Sequence, residues 1–129
     1  MPSYQTAGAA GFDLAASTNL TVAPGAIVLV PTGLVAEVPA GHFLAIFARS
    51  STPLKRGLIV ANGVGVVDSD YCGPTDEIKI QVMNVTQSPV AITAGDRLAQ
   101  GVVLPYARVE LEDGDGATAA SRGGFGSTG

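Results

Sequence analysis

Tryptophan is absent from this chain, cysteine and histidine occur once each, and aromatic residues make up 5% of it. A core with so few large rings must be built from Val, Ile, Leu and Ala. The lone cysteine, Cys72, allows no intrachain disulfide, which suits a reducing compartment. With one His and one Cys there is no ligand cluster of the kind a zinc deaminase needs. Charged residues are scarce at 14% against 47% hydrophobic, so a disordered or coiled-coil chain is excluded. The net charge of −4 argues against a nucleic-acid surface, which would need a basic patch. It leaves room for a local cluster of Arg and backbone N–H groups that holds a polyphosphate. The opening Met1-Pro2-Ser3-Tyr4 has no basic stretch followed by an apolar one, and no apolar run reaches membrane-span length. The expectation is a soluble cytoplasmic protein with neither membrane nor nucleic acid as partner.

Glycine and proline are plentiful, at 17 and 8 in 129 residues, and they punctuate the chain throughout. Its length suits one domain with one core. Between the turn signals lie short apolar or alternating stretches: residues 26–30, 34–38, 43–48, 98–104 and 108–111. In residues 77–84, Ile78, Ile80 and Val82 alternate with Lys79, Gln81 and Met83, which is strand period. Many short strands with Gly/Pro-rich turns predict an all-β sandwich, barrel or jelly roll. Residues 50–57 break the pattern with hydroxyl residues fit to cap a helix, Pro53 in its first turn and Gly57 as its stop, so one short helix belongs there. From Asp113 the composition turns to small and polar residues, a linker that leads to Arg122-Gly123-Gly124-Phe125-Gly126-Ser127-Thr128-Gly129. The expected organisation is a β-barrel catalytic domain over residues 1–112 and a flexible arm over residues 113–129.

Five segments carry candidate chemistry, and each has an ordinary reading beside the functional one. Ala7-Gly8-Ala9-Ala10-Gly11-Phe12-Asp13 opens a small-residue strand, with Asp13 a turn or surface carboxylate. Arg49-Ser50-Ser51 is either a capped helix start beside a surface Arg, or a guanidinium fork and N–H groups facing one phosphate. Asn62-Gly63-Val64-Gly65-Val66-Val67-Asp68 suggests a hairpin whose glycines admit a flat ligand, ending on an Asp placed as a base or metal ligand. Gly95-Asp96-Arg97-Leu98-Ala99-Gln100 reads as a turn held by an Asp–Arg pair. The fifth is the tail from Arg122, where an Arg and a Phe set among glycines are unusual for a frayed end.

In this order the five segments resemble the five motifs of the trimeric dUTPase family. The joint signal is Asp68-Ser69-Asp70-Tyr71, then Gly95-Asp96-Arg97 with Ala99-Gln100, then Gly123-Gly124-Phe125-Gly126-Ser127-Thr128-Gly129. The resemblance spans residues 7–129 and implies a distorted jelly-roll/β-barrel with one short helix and a C-terminal arm. It also implies a homotrimer with shared sites that cuts dUTP to dUMP and pyrophosphate, with Mg²⁺ as cofactor, limiting uracil in DNA and supplying dUMP for thymidylate synthesis. By the resemblance, Asp68 activates the attacking water and Asp13 reaches the metal through water. Asn62 with the backbone of Val64, Val66 and Val67 reads uracil, and Tyr71 packs under the deoxyribose. Arg49, Ser50, Ser51 and Gln100 meet phosphates, and Lys79 lies close to the nucleotide. Phe125 covers the base, with Arg122, Gly126 and Ser127 near the outer phosphates.

The chain departs from the family pattern in its last motif, where only Gly123 and Gly124 separate Arg122 from Phe125. It departs again in the turn Gly73-Pro74-Thr75-Asp76-Glu77, which is longer than usual, and in Cys72, where a polar or basic residue is common. Two rival functions share the fold. A dCTP deaminase would place a Glu on the strand after this turn, yet residues 80–84 carry no acid and Glu77 comes too early. A binding or signalling module would not need five segments with intact chemistry.

Overall fold

The structure, a computed structural model of the chain, describes residues 1–114 and 120–126. Its elements run β1 (Phe12–Ala15), β2 (Leu20–Val22), β3 (Ile27–Pro31), β4 (His42–Ala48), α1 (Ser51–Arg56), β5 (Leu58–Val60), β6 (Gly65–Val67), β7 (Lys79–Asn84), β8 (Val90–Ile92) and β9 (Arg97–Pro105). Every ladder is antiparallel. They form a four-stranded sheet β1-β9-β4-β6, a three-stranded sheet β3-β7-β5 and a two-stranded ribbon β2-β8. This is the expected all-β fold with one short helix, and the described strands enclose their core as three sheets, with no single hydrogen-bonded barrel.

One apolar cluster is shared by all three. Leu14, Leu44, Ile46 and Leu98 enter it from the four-stranded sheet, Val30, Leu58, Ile80 and Val82 from the three-stranded one, and Val22 and Ile92 from the ribbon. In β7 the period read from the sequence is realised, with Ile80 and Val82 buried between less buried neighbours. The same alternation carries Asn84 onto the core face at 0% exposure. A buried amide is tolerated only when its hydrogen-bonding groups are matched. Its Nδ2 donates to Val22 O at 2.9 Å and Ser88 O at 2.8 Å, while Oδ1 accepts from Thr86 N at 2.8 Å.

Three expectations are corrected. Residues 34–38 form no strand: Leu34, Ala36 and Val38 pack on the core while Val35 and Glu37 face solvent, so the faces alternate without a ladder partner. Residues 108–111 are likewise unpaired and exposed. Asn62-Gly63 does form a tight turn, closed by Gly63 N–H on Val60 O at 3.0 Å. Its two arms part, however, β5 pairing with β7 and β6 with β4, so the turn bridges two sheets where a paired hairpin was expected.

The helix forms where Pro53 and Gly57 place it, and Gly57 closes it in the left-handed conformation at φ 67°. The cap differs from expectation. Ser50 makes no side-chain cap bond. Thr52, at 0% exposure, takes over: its Oγ1 accepts from Arg49 N–H at 3.0 Å and donates to Leu98 O at 2.8 Å. One hydroxyl thereby ties the helix start to the end of β4 and to β9.

Candidate functional site

β6 is the edge of its sheet. Val67, Val66 and Gly65 pair with Leu44, Ala45 and Ile46 of β4, and among the described residues no strand pairs on the other side. Its outer N–H and C=O groups are therefore open to a ligand. Gly65 leaves room here, because a Cβ would crowd Ile46 Cβ at 3.0 Å. Asp68 follows β6 directly and starts a turn closed by Tyr71 N–H on Asp68 O at 3.1 Å. That turn folds the Tyr71 ring back toward the strand edge, where its hydroxyl donates to Glu77 O at 3.1 Å.

These features frame a cleft of ≈ 390 Å³. Asn62, Val66, Val67, Asp68, Tyr71 and Lys79 all line it, so the structure brings six of the sequence-predicted residues together. Thr75 and Glu77 from the long turn complete one wall. The chemistry on offer is a rigid backbone edge, an aromatic face, an ammonium and an exposed carboxylate. Val64 sits on the turn leading into β6, 41% exposed and outside the cleft lining.

The remaining predicted residues gather elsewhere. Asp13 on β1 faces Gln100 on β9. Arg49 Nε lies 3.0 Å from Asp13 Oδ1, and Arg97 Nη1 lies 3.6 Å from Asp13 Oδ2. Arg49 Nη1 also donates to Arg97 O at 3.2 Å. Gln100 Nε2 donates to Ala48 O at 3.0 Å, which fixes its amide beside the helix start where Ser50 and Ser51 lie. A Cβ on Gly11 would come within 2.9 Å of Gln100 Oε1, so the motif glycine makes room for that amide. Two guanidinium groups on a single carboxylate, with the Gln100 amide and the helix start nearby, make a surface suited to oxyanions.

The two groups occupy opposite ends of β4. Val67 faces Leu44, and Asp68 continues away from Arg49, which lies five residues further along the strand. At about 3.4 Å per residue, Asp68 and Arg49 are separated by more than roughly 17 Å within one chain. Arg122, Phe125 and Gly126 are exposed and line neither group. Phe125 has φ 50° and Gly126 φ 85°. Ser127 lies outside the described residues.

Sequence reasoning assigned no site role to Arg97, Thr52 or Glu77. Arg97 was expected to pair with Asp96 in a turn. Asp96 instead takes Arg56 at 3.1 Å and Thr93 N–H at 2.8 Å, which frees Arg97 for Asp13. Only the β1–β9 register could have indicated this, and no local spacing encodes it. Among the described residues no group of three or more His, Cys, Asp or Glu could hold a metal, and no helix is long and apolar enough to cross a membrane.

Comparison with known proteins identifies the family. A family model described as dUTPase matches residues 1–129. The deoxyuridine 5'-triphosphate nucleotidohydrolase of Desulfitobacterium hafniense (strain DSM 10664 / DCB-2) is 50% identical over 134 residues, covering 100% of this chain and 87% of that protein. The enzyme of the same name from Sinorhizobium medicae (strain WSM419) is 44% identical over 135 residues, covering 100% of this chain and 82% of that protein. The crystal structure of dUTPase from Streptococcus mutans superposes with a TM-score of 0.82 at 42% identity, covering 85% of this chain and 88% of that one. The chain belongs to the dUTPase family.

Proposed function

We propose that the protein hydrolyses dUTP to dUMP and pyrophosphate in sites shared between the subunits of a homotrimer. The observation that carries this reading is the cleft in which Asp68 stands at the end of an open strand edge, beside Tyr71 and Asn62. Uracil presents two carbonyl acceptors and one N–H. The edge of β6, with Asn62, can match that pattern and would leave cytosine with unpaired groups, a strong penalty in a close-fitting site. Tyr71 offers its ring to the deoxyribose, where a 2′-hydroxyl would clash. Lys79 lies close enough to the nucleotide to offset its charge.

Asp68 orients a water molecule and accepts its proton as the oxygen attacks the α-phosphorus. The bond from that phosphorus to the bridging oxygen breaks, and pyrophosphate leaves. Arg49, Ser50, Ser51 and Gln100 bind the phosphates and meet the charge that builds on their oxygens. Among the described residues no group of carboxylates could hold a metal directly, so a divalent cation would arrive on the substrate's phosphates, beside an Asp13 whose oxygens already meet Arg49 and Arg97. Mg²⁺ is the natural choice because it keeps waters and prefers phosphate oxygens, so Asp13 needs to reach it only through water. When bound, the cation neutralises phosphate charge. The arm, residues 113–129, closes over the nucleotide with Phe125 on the base and Arg122, Gly126 and Ser127 toward the outer phosphates, keeping bulk solvent away from the one water that Asp68 holds. A free thiol at Cys72 suits a cytoplasmic setting.

The distance along β4 supports sharing, because two residues proposed to act on one triphosphate have backbones more than roughly 17 Å apart within one chain. Two experiments test the reading. With Mg²⁺ and dUTP, dCTP, dTTP or UTP in parallel, pyrophosphate should appear from dUTP alone, and ammonia from dCTP would overturn the assignment. Mixing inactive D68N with inactive R49A subunits, refolded together, should restore activity in about one site in four, as random assembly of a ring gives. Sites built within one chain would show no recovery.

A further inference from the structure

Between Tyr71 and β7 the chain makes the long turn that departs from the family pattern, and the turn is tightly built. Asp76 N–H donates to Gly73 O at 3.0 Å, and Asp76 Oδ2 accepts from Gly73 N–H at 2.9 Å, closing four residues on themselves. A Cβ at Gly73 would sit 3.0 Å from that Oδ2, a tight contact that glycine avoids. The turn then delivers Glu77, which is held at both ends. Its Oε1 accepts from Gly33 N–H at 2.8 Å, on the segment leaving β3. Its main-chain carbonyl accepts from the Tyr71 hydroxyl at 3.1 Å. The next residue, Ile78, is buried and locked to that same segment, donating from N–H to Leu34 O at 2.8 Å and accepting Thr32 Oγ1 at 2.6 Å.

We propose that Glu77 is a positioning residue for sugar selection: by anchoring its carboxylate on Gly33 it fixes the carbonyl that holds the Tyr71 ring in the cleft. This rests on the reading of Tyr71 as the residue that excludes a 2′-hydroxyl. Exclusion by contact is steep in distance, and a shift of 0.5–1 Å already changes a contact energy by a large fraction. Tyr71 is 41% exposed, and its hydroxyl bond to Glu77 O ties the outer end of the ring to the cleft wall. A carboxylate on an N–H is a charge-assisted bond and holds its geometry better than a neutral pair. The extra length of the turn thus acts as a strut, closed by Asp76 and footed on Gly33, that stiffens the wall facing the sugar.

The test compares the ratio of kcat/KM for dUTP to that for UTP in the wild type, E77A, E77Q and Y71F. E77A and Y71F should each lower the ratio about tenfold, the loss expected from one hydrogen bond, with the change seen as a lower KM for UTP. E77Q keeps an oxygen acceptor for Gly33 N–H and should recover most of the ratio. The double variant E77A/Y71F should be no less selective than the worse single one, since both break one tether. An E77A protein as selective as the wild type overturns the proposal, as does an E77Q protein no better than E77A. Should E77A fail to fold, Y71F and E77Q decide, and unchanged selectivity in Y71F overturns it. A wild type that hydrolyses dUTP and UTP equally would overturn the functional reading itself, whereas a selective wild type with selective variants removes only the role of Glu77.

Discussion

Arg49 points its Nε at Asp13 Oδ1 across 3.0 Å, so the guanidinium proposed to meet the phosphates is held by the carboxylate proposed to face the metal. Arg97 shares that carboxylate from the other oxygen. The pair is only partly buried, with side-chain exposures of 29% and 17%, and Coulomb attraction there is moderated by water. Its importance lies in placement, since each partner keeps the other aimed before substrate arrives.

Replacing Asp13 by Asn should therefore raise the Mg²⁺ concentration needed for half-maximal activity by about tenfold or more, the usual effect of losing an outer partner of a bound cation. A titration of activity against Mg²⁺ reads this directly. If Asp13 serves only to hold Arg49, the variant will keep its Mg²⁺ requirement and change only its KM for dUTP.

Asp68→Asn removes the proton acceptor while leaving the strand edge and Tyr71 intact. Turnover should fall by about 10²–10⁴, and binding of a non-hydrolysable dUTP analogue should persist. Near-normal turnover would remove Asp68 from the role of base.

Deleting residues 122–129 should cost most of the activity and leave the oligomer intact, because the described part of this segment is exposed and supports no core. Sedimentation and a dUTP assay on one sample separate the two effects. Full activity would mean that the arm takes no part in closure.

Thr52→Val keeps the shape of a buried side chain and removes both of its hydrogen bonds, to Arg49 N–H and Leu98 O. The variant should lose about 1–3 kcal/mol of stability, with a rise in KM for dUTP as Arg49 loosens. Thermal unfolding checks the first effect and initial rates the second. A wild-type melting temperature would show that water replaces the lost partners.

What could be read in advance depended on how local its cause was. The alternation in β7 and the helix between Ser50 and Gly57 are written in neighbouring residues, and both formed as expected. The five segments named the family because their order is itself sequence information. What the sequence did not disclose depends on partners far along the chain. Thr52 rather than Ser50 secures the helix start because Leu98, 46 residues away, supplies the acceptor. Asp96 and Arg97 part company because Arg56 and Asp13 are better placed for each. Residues 34–38 alternate like a strand yet find no ladder, since β7 has β3 on one side and β5 on the other.

The strand edge at Gly65–Val67 presents peptide groups to the cleft, and every residue except proline carries the same peptide groups. On the proposed reading, the letter recognised in the base is written in main chain, so it survives most point changes at Val64 or Val66. Such a reader is hard to retrain: altering its preference requires bending the path of the strand, and Ile46 packed against Gly65 resists that bend. A lineage carrying this fold can vary its side chains widely and still ask the same question of every nucleotide it meets.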